Sequence, residues 1–198
     1  MVCGLVQCRS DVSEEDCQTC VDTAAKEISQ FCPKNKEAMI GYNNCSLRYS
    51  DWRFFSTSSS SRIISFYNTG NANDPDHFNT QLANLFRILS STAASNTSKF
   101  AVDSTSYSDF SDIYGMVQCT RDLPENSCSS CLQAIISFIP QCCNQKQGAR
   151  IFTMSCNLRF KLYAFFLTSP PPPLSTLEPN SIPGVTTNTT NSDGKFYW

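Results

Sequence analysis

The sequence predicts a disulfide-stapled α+β protein in which antiparallel sheets pack with helices, built from one incomplete and one complete copy of the same module. Three observations carry this. A shift of 111 positions takes Cys8, Cys17, Cys20, Cys32 and Cys45 onto Cys119, Cys128, Cys131, Cys143 and Cys156 without a gap. From Phe152 to Phe166 the apolar positions Phe152, Met154, Cys156, Leu158, Phe160, Leu162, Ala164 and Phe166 alternate with Thr153, Ser155, Asn157, Arg159 and Lys161. That period of two is a strand with one buried and one wet face. Phe78, Leu82, Leu85, Phe86 and Leu89 instead follow the helical period and make an apolar stripe. Strands and helices that do not alternate regularly favour an antiparallel sheet.

Taken in order, Gly4-Leu-Val-Gln-Cys8 falls on Gly115-Met-Val-Gln-Cys119, the end of a short strand over residues 113–119. Ser13-Glu-Glu-Asp16 opens a helix with a near capping box, and the matching helix of the second copy runs from about Pro124 to Phe138. Cys45-Ser-Leu-Arg-Tyr49 falls on Cys156-Asn-Leu-Arg-Phe160, and Phe54-Phe55 on Phe165-Phe166. Asp74-Pro75-Asp76 starts a helix: a capping Asp, Pro in the first turn, and acid at the positive end of the dipole. The segment from about Ser65 to Ser111 has no counterpart ahead of Gly4. Residues 1–55 therefore read as the C-terminal half of a first module, and 65–168 as a whole one. Residues 56–64, with the run Thr57–Ser61, form a polar linker. Residues 169–198, opening on Pro170–Pro173, form an extended, disordered tail.

A net charge of −2 with scattered Lys and Arg predicts no nucleic-acid partner and no pull toward anionic membranes. Twelve cysteines point to an oxidising compartment unless they bind metal. Zinc sites are usually helped by His, and the one histidine, His77, stands apart from every cysteine, so no metal and no cofactor is expected. Asn44, Asn96 and Asn188 begin glycosylation sequons. The start has no signal-peptide pattern, and no segment reaches the ~18 apolar residues of a membrane span. The expected location is extracellular, in the apoplast or on the outer face of the plasma membrane, with the true beginning of the protein missing from this chain.

Cys17-Gln-Thr-Cys20 and Cys128-Ser-Ser-Cys131 invite a redox reading. On one helix, however, such a pair sets its Cβ atoms about 5–6 Å apart. A disulfide needs roughly 3.5–4.5 Å. The pairs then reach outward, giving staples Cys8 to Cys17, Cys20 to Cys45, Cys119 to Cys128 and Cys131 to Cys156. Hydrolase chemistry lacks a base, because His77 lies in a helix first turn. Glu14 and Glu15 sit where carboxylates offset a helix dipole, and no Gly-rich phosphate loop exists. Trp52 with Phe54-Phe55 suits core packing better than a sugar platform.

These residues resemble a known plant family. The spacing Cys-x8-Cys-x2-Cys at Cys8/Cys17/Cys20 and Cys119/Cys128/Cys131, the stretch Ile113–Asp122, Ile139-Pro-Gln-Cys-Cys143, Ser155–Phe160 and Phe66-Tyr-Asn-Thr-Gly70 are similar to the ginkbilobin-type, or salt-stress-response/antifungal, domain. Tandem pairs of this domain form cysteine-rich repeat secretory proteins, plasmodesmata-located proteins and the ectodomains of cysteine-rich receptor-like kinases. The resemblance covers about residues 1–168, and the Pro-rich tail resembles the stalk before the membrane span of the kinases. It implies a five-stranded antiparallel sheet with two helices per complete module. It further implies a secreted or receptor-like, non-catalytic recognition role in defence or stress signalling, with a carbohydrate or another receptor ectodomain as ligand. The alternative it implies is a secreted, mannose-binding antifungal protein. The mannose site in the family uses an Asn, an Arg and a Glu. Arg150 matches the Arg, Lys161 stands at the Glu position, and in the first copy Met39 and Ser50 occupy the two corresponding places. Lys cannot accept sugar hydroxyl protons as a carboxylate does. In the family the fourth motif cysteine pairs near the start of its own module, which leaves Cys32 and Cys143 without that partner. Cys3 and Cys142 are foreign to the pattern, and a bond between neighbours closes a strained eight-membered ring. Cys3, Cys32, Cys142 and Cys143 are therefore expected to be free or labile thiols.

Overall fold

The computed structural model describes residues 2–59, 62–166 and 196–197. The first copy contributes β1 (Cys3–Cys8), α1 (Glu14–Phe31), β2 (Glu37–Gly41) and β3 (Cys45–Ser50). The second contributes β4 (Ile64–Tyr67), α2 (Pro75–Ser95), β5 (Phe100–Ser108), β6 (Ser111–Cys119), α3 (Glu125–Cys142), β7 (Ala149–Phe152) and β8 (Cys156–Lys161). A two-residue strand, β9 (Phe196–Tyr197), follows. All pairings are antiparallel, in one sheet of order β1-β3-β2-β9 and another of order β4-β7-β8-β6-β5. The architecture is α+β, with one helix on the first sheet and two on the second.

The helices start where their sequences say they should. Ser13 accepts a hydrogen bond from the Asp16 amide at 3.1 Å, and Glu14, Glu15 and Asp16 sit at the positive end of the α1 dipole. Asp74 accepts from the His77 amide at 3.2 Å, with Pro75 opening α2. The α3 helix passes the expected end at Phe138 and runs through Pro140 to Cys142. A proline this close to a C-terminus removes few helical bonds, and Cys143 N still reaches the Ile139 carbonyl at 2.8 Å.

The larger core lies between α2, α3 and the second sheet, where Phe78, Phe86, Leu132, Ile135, Leu158 and Phe160 are sealed from water. Gly115 sets how closely α2 lies on the sheet: a Cβ there would meet Leu85 and Leu89 carbons at 2.8 and 2.9 Å. The smaller core, of Ala24, Ile28, Cys32, Ala38, Ile40 and Cys45, lies under α1. Cys8–Cys17 and Cys119–Cys128 tie each helix to a strand with Cα separations of 5.7 Å in both copies. Cys20–Cys45 and Cys131–Cys156 do the same at 6.0 and 6.1 Å. Each such closed loop is worth roughly 2–4 kcal/mol in a chain-entropy account.

Two expectations need correction. The alternating run from Phe152 to Phe166 is not one strand: β7 ends at Phe152, the chain reverses, and β8 spans Cys156–Lys161. Thr153 holds the reversal, its amide donating to the Cys156 carbonyl at 2.8 Å while its hydroxyl accepts from the Ser155 and Cys156 amides. The turn keeps the period of two, yet Cys156, Leu158 and Phe160 face the helices whereas Phe152 and Met154 pack with Met39. The second correction concerns the tail. Residues 167–195 lie outside the described residues, as do Ser60 and Ser61 of the linker and Asn188, but 196–197 are a strand and not disordered chain. They pair with Ile40 and Gly41 on the open edge of β2, where strand backbone groups need partners. This is the edge that β4 takes on β7 in the second sheet.

The two copies meet on the faces their helices leave uncovered. Gln7 donates to the Cys119 carbonyl at 2.7 Å, and Gln118, its counterpart in the repeat, donates to the Cys8 carbonyl at 3.0 Å. Arg121 N closes the set on the Gln7 side-chain oxygen at 2.9 Å.

Candidate functional site

The β7·β8 register places Arg150 directly opposite Arg159. Like charges at such a position repel. Lys161 projects from the same face of β8, since side chains two apart share a face. Phe66 pairs with Arg150 from the other side, on β4. Tyr67, Asn68 and Tyr163, together with Asn43 from the β2–β3 turn of the first copy, complete a cleft of about 170 Å³. Among the described residues three cations line it, and no carboxylate does.

Each cation has an anchor that fixes its direction. Arg150 donates to the Asn43 side-chain oxygen at 2.7 Å and the Tyr42 carbonyl at 2.6 Å, and its guanidinium lies 4.2 Å from the Phe152 ring centre. Arg159 stacks 4.2 Å over Phe165. Lys161 donates to the Asn68 side-chain oxygen and hangs over the exposed Tyr163 ring. Nearby Arg9 is taken by Asp11 at 2.5 Å.

This crowding shows in the ionisation. Burial, joined by the nearby positive charges of Arg159 and Arg9, pushes the Arg150 pKa well below the usual guanidinium range, to about 9. Burial lowers Arg159 too, against an upward pull from Tyr163, and burial followed by Arg159 lowers Lys161. Desolvation and like-charge repulsion both disfavour the protonated form of a base.

The other sequence candidates fall elsewhere. Cys142 and Cys143 are expected to be free or joined in a labile bond between neighbours, Cys143 lacking the family's usual partner; in the structure they are bonded to each other, their Cα atoms 3.8 Å apart. The chain leaves α3 between them, with Cys143 at φ −139°, and this turns the two adjacent side chains together. Cys3 and Cys32 form no disulfide among the described residues, and both are buried. Asn44 lies partly exposed after the β2 strand, and Asn96 caps the C-terminus of α2 in the open. His77 is exposed and stacks on Tyr107. Phe54 is buried, whereas Trp52 is half exposed, and both rings face Arg48. Arg159, Asn43 and Tyr163 were missed as site residues. Arg159 was legible in principle, as the wet position directly between Leu158 and Phe160.

Two stapled α+β copies joined through their bare sheet faces define a tandem, disulfide-stapled cysteine-rich protein, with a cationic cleft beside the joint. The chain belongs to the salt stress response/antifungal family, whose model matches residues 1–52 and 65–163. It is 39% identical over 168 residues to cysteine-rich repeat secretory protein 38 of Arabidopsis thaliana, covering 84% of this chain and 66% of that protein. It is 40% identical over 162 residues to an antimicrobial ginkbilobin-2-like protein of Castanea crenata, covering 82% and 67%. Cysteine-rich receptor-like protein kinase 25 of Arabidopsis thaliana is 37% identical over 184 residues, covering 89% of this chain and 27% of the kinase. The chain thus spans about two thirds of the first two relatives and about a quarter of the kinase. In fold it is similar to the tandem DUF26 ectodomain of the Arabidopsis thaliana cysteine-rich receptor-like protein PDLP8, with a TM-score of 0.71 at 24% identity over 82% of this chain and 75% of that one. No helix among the described residues is long and apolar enough to cross a membrane.

Proposed function

We propose that this chain is a non-catalytic extracellular recognition module of a secreted or receptor-like plant protein, acting in defence or stress signalling. The observation that carries the reading is the cleft of Arg150, Arg159 and Lys161: concave, polar, rimmed by exposed aromatic rings, and pinned by groups from both copies. Such a site orients a ligand through a few placed polar groups. The relatives include secreted repeat proteins and a receptor kinase, which supports an extracellular setting. The ligand is a carbohydrate or another receptor ectodomain. The test is binding of the oxidised, labelled chain to a cell-wall glycan array and to a panel of receptor ectodomains. Binding that Arg150→Ala abolishes supports the reading; binding indifferent to Arg150 removes the cleft from it.

A second reading, a mannose-binding antifungal protein, is favoured by the likeness to the antimicrobial ginkbilobin-2-like protein. It requires mannose binding that Arg150→Ala removes. The lysine at position 161 counts against it, since an ammonium offers donors and no acceptor.

A further inference from the structure

The repeat supplies its own control for the cationic cleft. Arg48 holds in the first copy the position that Arg159 holds in the second. In the first copy Glu37 of β2 meets the Arg48 guanidinium at 2.5 Å, and the arginine lies over the Phe54 ring. In the second copy the place of Glu37 belongs to Gly148, and the place of Ser50 to Lys161. A carboxylate has been exchanged for hydrogen and a hydroxyl for an ammonium. The added side chain occupies the vacated room: a Cβ on Gly148 would lie 2.6 Å from the Lys161 Cδ. Met39, the counterpart of Arg150, brings no charge to the first copy. The same architecture is therefore internally neutralised once and left with three cations once.

We propose that the cleft binds the carboxylate of an acidic sugar, a uronate residue of an oligosaccharide, which stands against Arg159 and Lys161 as Glu37 stands against Arg48. The inference rests on the recognition reading above and names its ligand class. The carboxylate would meet a planar fork and a point charge, a combination that holds anions with charge-assisted bonds. A cleft of about 170 Å³ is of the size that takes a single six-membered ring, for comparison with the ~150 Å³ cavity that holds benzene. Tyr67 and Tyr163, each more than half exposed, offer flat faces for a pyranose, and the side chains of Asn43 and Asn68 can meet hydroxyls at the same rim.

The test uses the full disulfide-bonded chain in calorimetric titration against oligouronates, the same oligomers as methyl esters, mannose oligomers, an acidic peptide and inorganic phosphate. The acid form should bind at least tenfold more tightly than its ester, with affinity falling as salt rises. Lys161→Gln and Arg159→Gln should each weaken it roughly tenfold. Tyr163→Ala removes a ring face and no charged group, so it should weaken the sugar far more than phosphate, and Lys26→Gln on exposed α1 should change nothing. Thermal melts of each variant separate lost binding from lost folding. Equal affinity for acid and ester, or preference for mannose, overturns the acidic ligand while leaving the recognition reading in place. Phosphate or the acidic peptide binding as well as the oligouronate overturns the sugar. Binding by none of the probes overturns the proposal outright. New reducing ends released from any oligomer would overturn the non-catalytic reading and not the ligand class.

Discussion

Arg48 and Arg159 sit at one position of a duplicated module, on equivalent strands, each stacked on the aromatic ring six residues on: Phe54 in one case, Phe165 in the other. Their neighbours differ. Arg48 is nearly sealed from solvent and bonded to Glu37. Arg159 faces Arg150 across the ladder and has Lys161 two residues along. Buried charge is tolerated where it is paired, and unneutralised charge persists where it has another use. The first copy has turned the position into structure, and the second keeps its cations at the wall of an open cleft.

The largest effect comes from breaking the paired side. Glu37→Gln leaves the Arg48 cation buried and should cost about 3 kcal/mol, read as a loss of unfolding free energy in urea. Arg159→Gln in the second copy should cost far less, and a loss as large as that from Glu37→Gln would erase the distinction between the copies. Giving the second copy the first copy's residues sharpens the comparison. Gly148→Ala alone should cost about 1–3 kcal/mol, because its Cβ would lie 2.9 Å from the Phe160 carbonyl oxygen as well as against Lys161. Gly148→Glu combined with Lys161→Ser relieves the contact with Lys161, and should recover part of that stability while closing the cleft to anions.

How much of this the residues announced is uneven. Asp74 before Pro75 and Ser13 before three acids mark helix starts by chemistry that acts within one turn, so they are legible without a fold. Helical spacing alone argues against a bond between Cys17 and Cys20; in the structure they bond to Cys8 and Cys45. Lys161 and Arg150 could be singled out only by resemblance. Their meeting with Arg159 depends on the β7·β8 register, fixed by a reversal at residues 153–155 that an unbroken alternation conceals. Asn43 reaches the cleft through the docking of one copy on the other, which no local pattern encodes.

Gln118→Ala would leave the Cys8 carbonyl without its side-chain donor and should cost about 1–2 kcal/mol, as should Gln7→Ala for Cys119. Unequal costs would mean that one copy carries the joint. The smallest effect is one of pH. The folded-state pKa of Arg150 lies near 9, well below the ordinary guanidinium range, so the unfolded chain binds more protons between the two. Stability from this group is flat below that window and rises with pH through it, by about 0.4 kcal/mol at pH 9 relative to pH 7. The difference in unfolding free energy between wild type and Arg150→Met, followed from pH 7 to 9.5, should show that rise; a fall would mean that the cation is welcomed by its surroundings.

The exchanged bonds of Gln7 and Gln118 carry a consequence for assembly. Residue i of one copy contacts residue j of the other while j contacts i, which is the signature of an isologous interface. The repeated halves thus meet about a pseudo-two-fold axis, as the subunits of a dimer would, within a single polypeptide. Fusion frees the two halves to diverge: each keeps the self-complementary glutamine that the symmetry demands, while sequence away from the axis is released from having to work twice. Glu37 and Gly148 stand at just such a released position, and a cleft present on only one side of the axis is what that freedom permits.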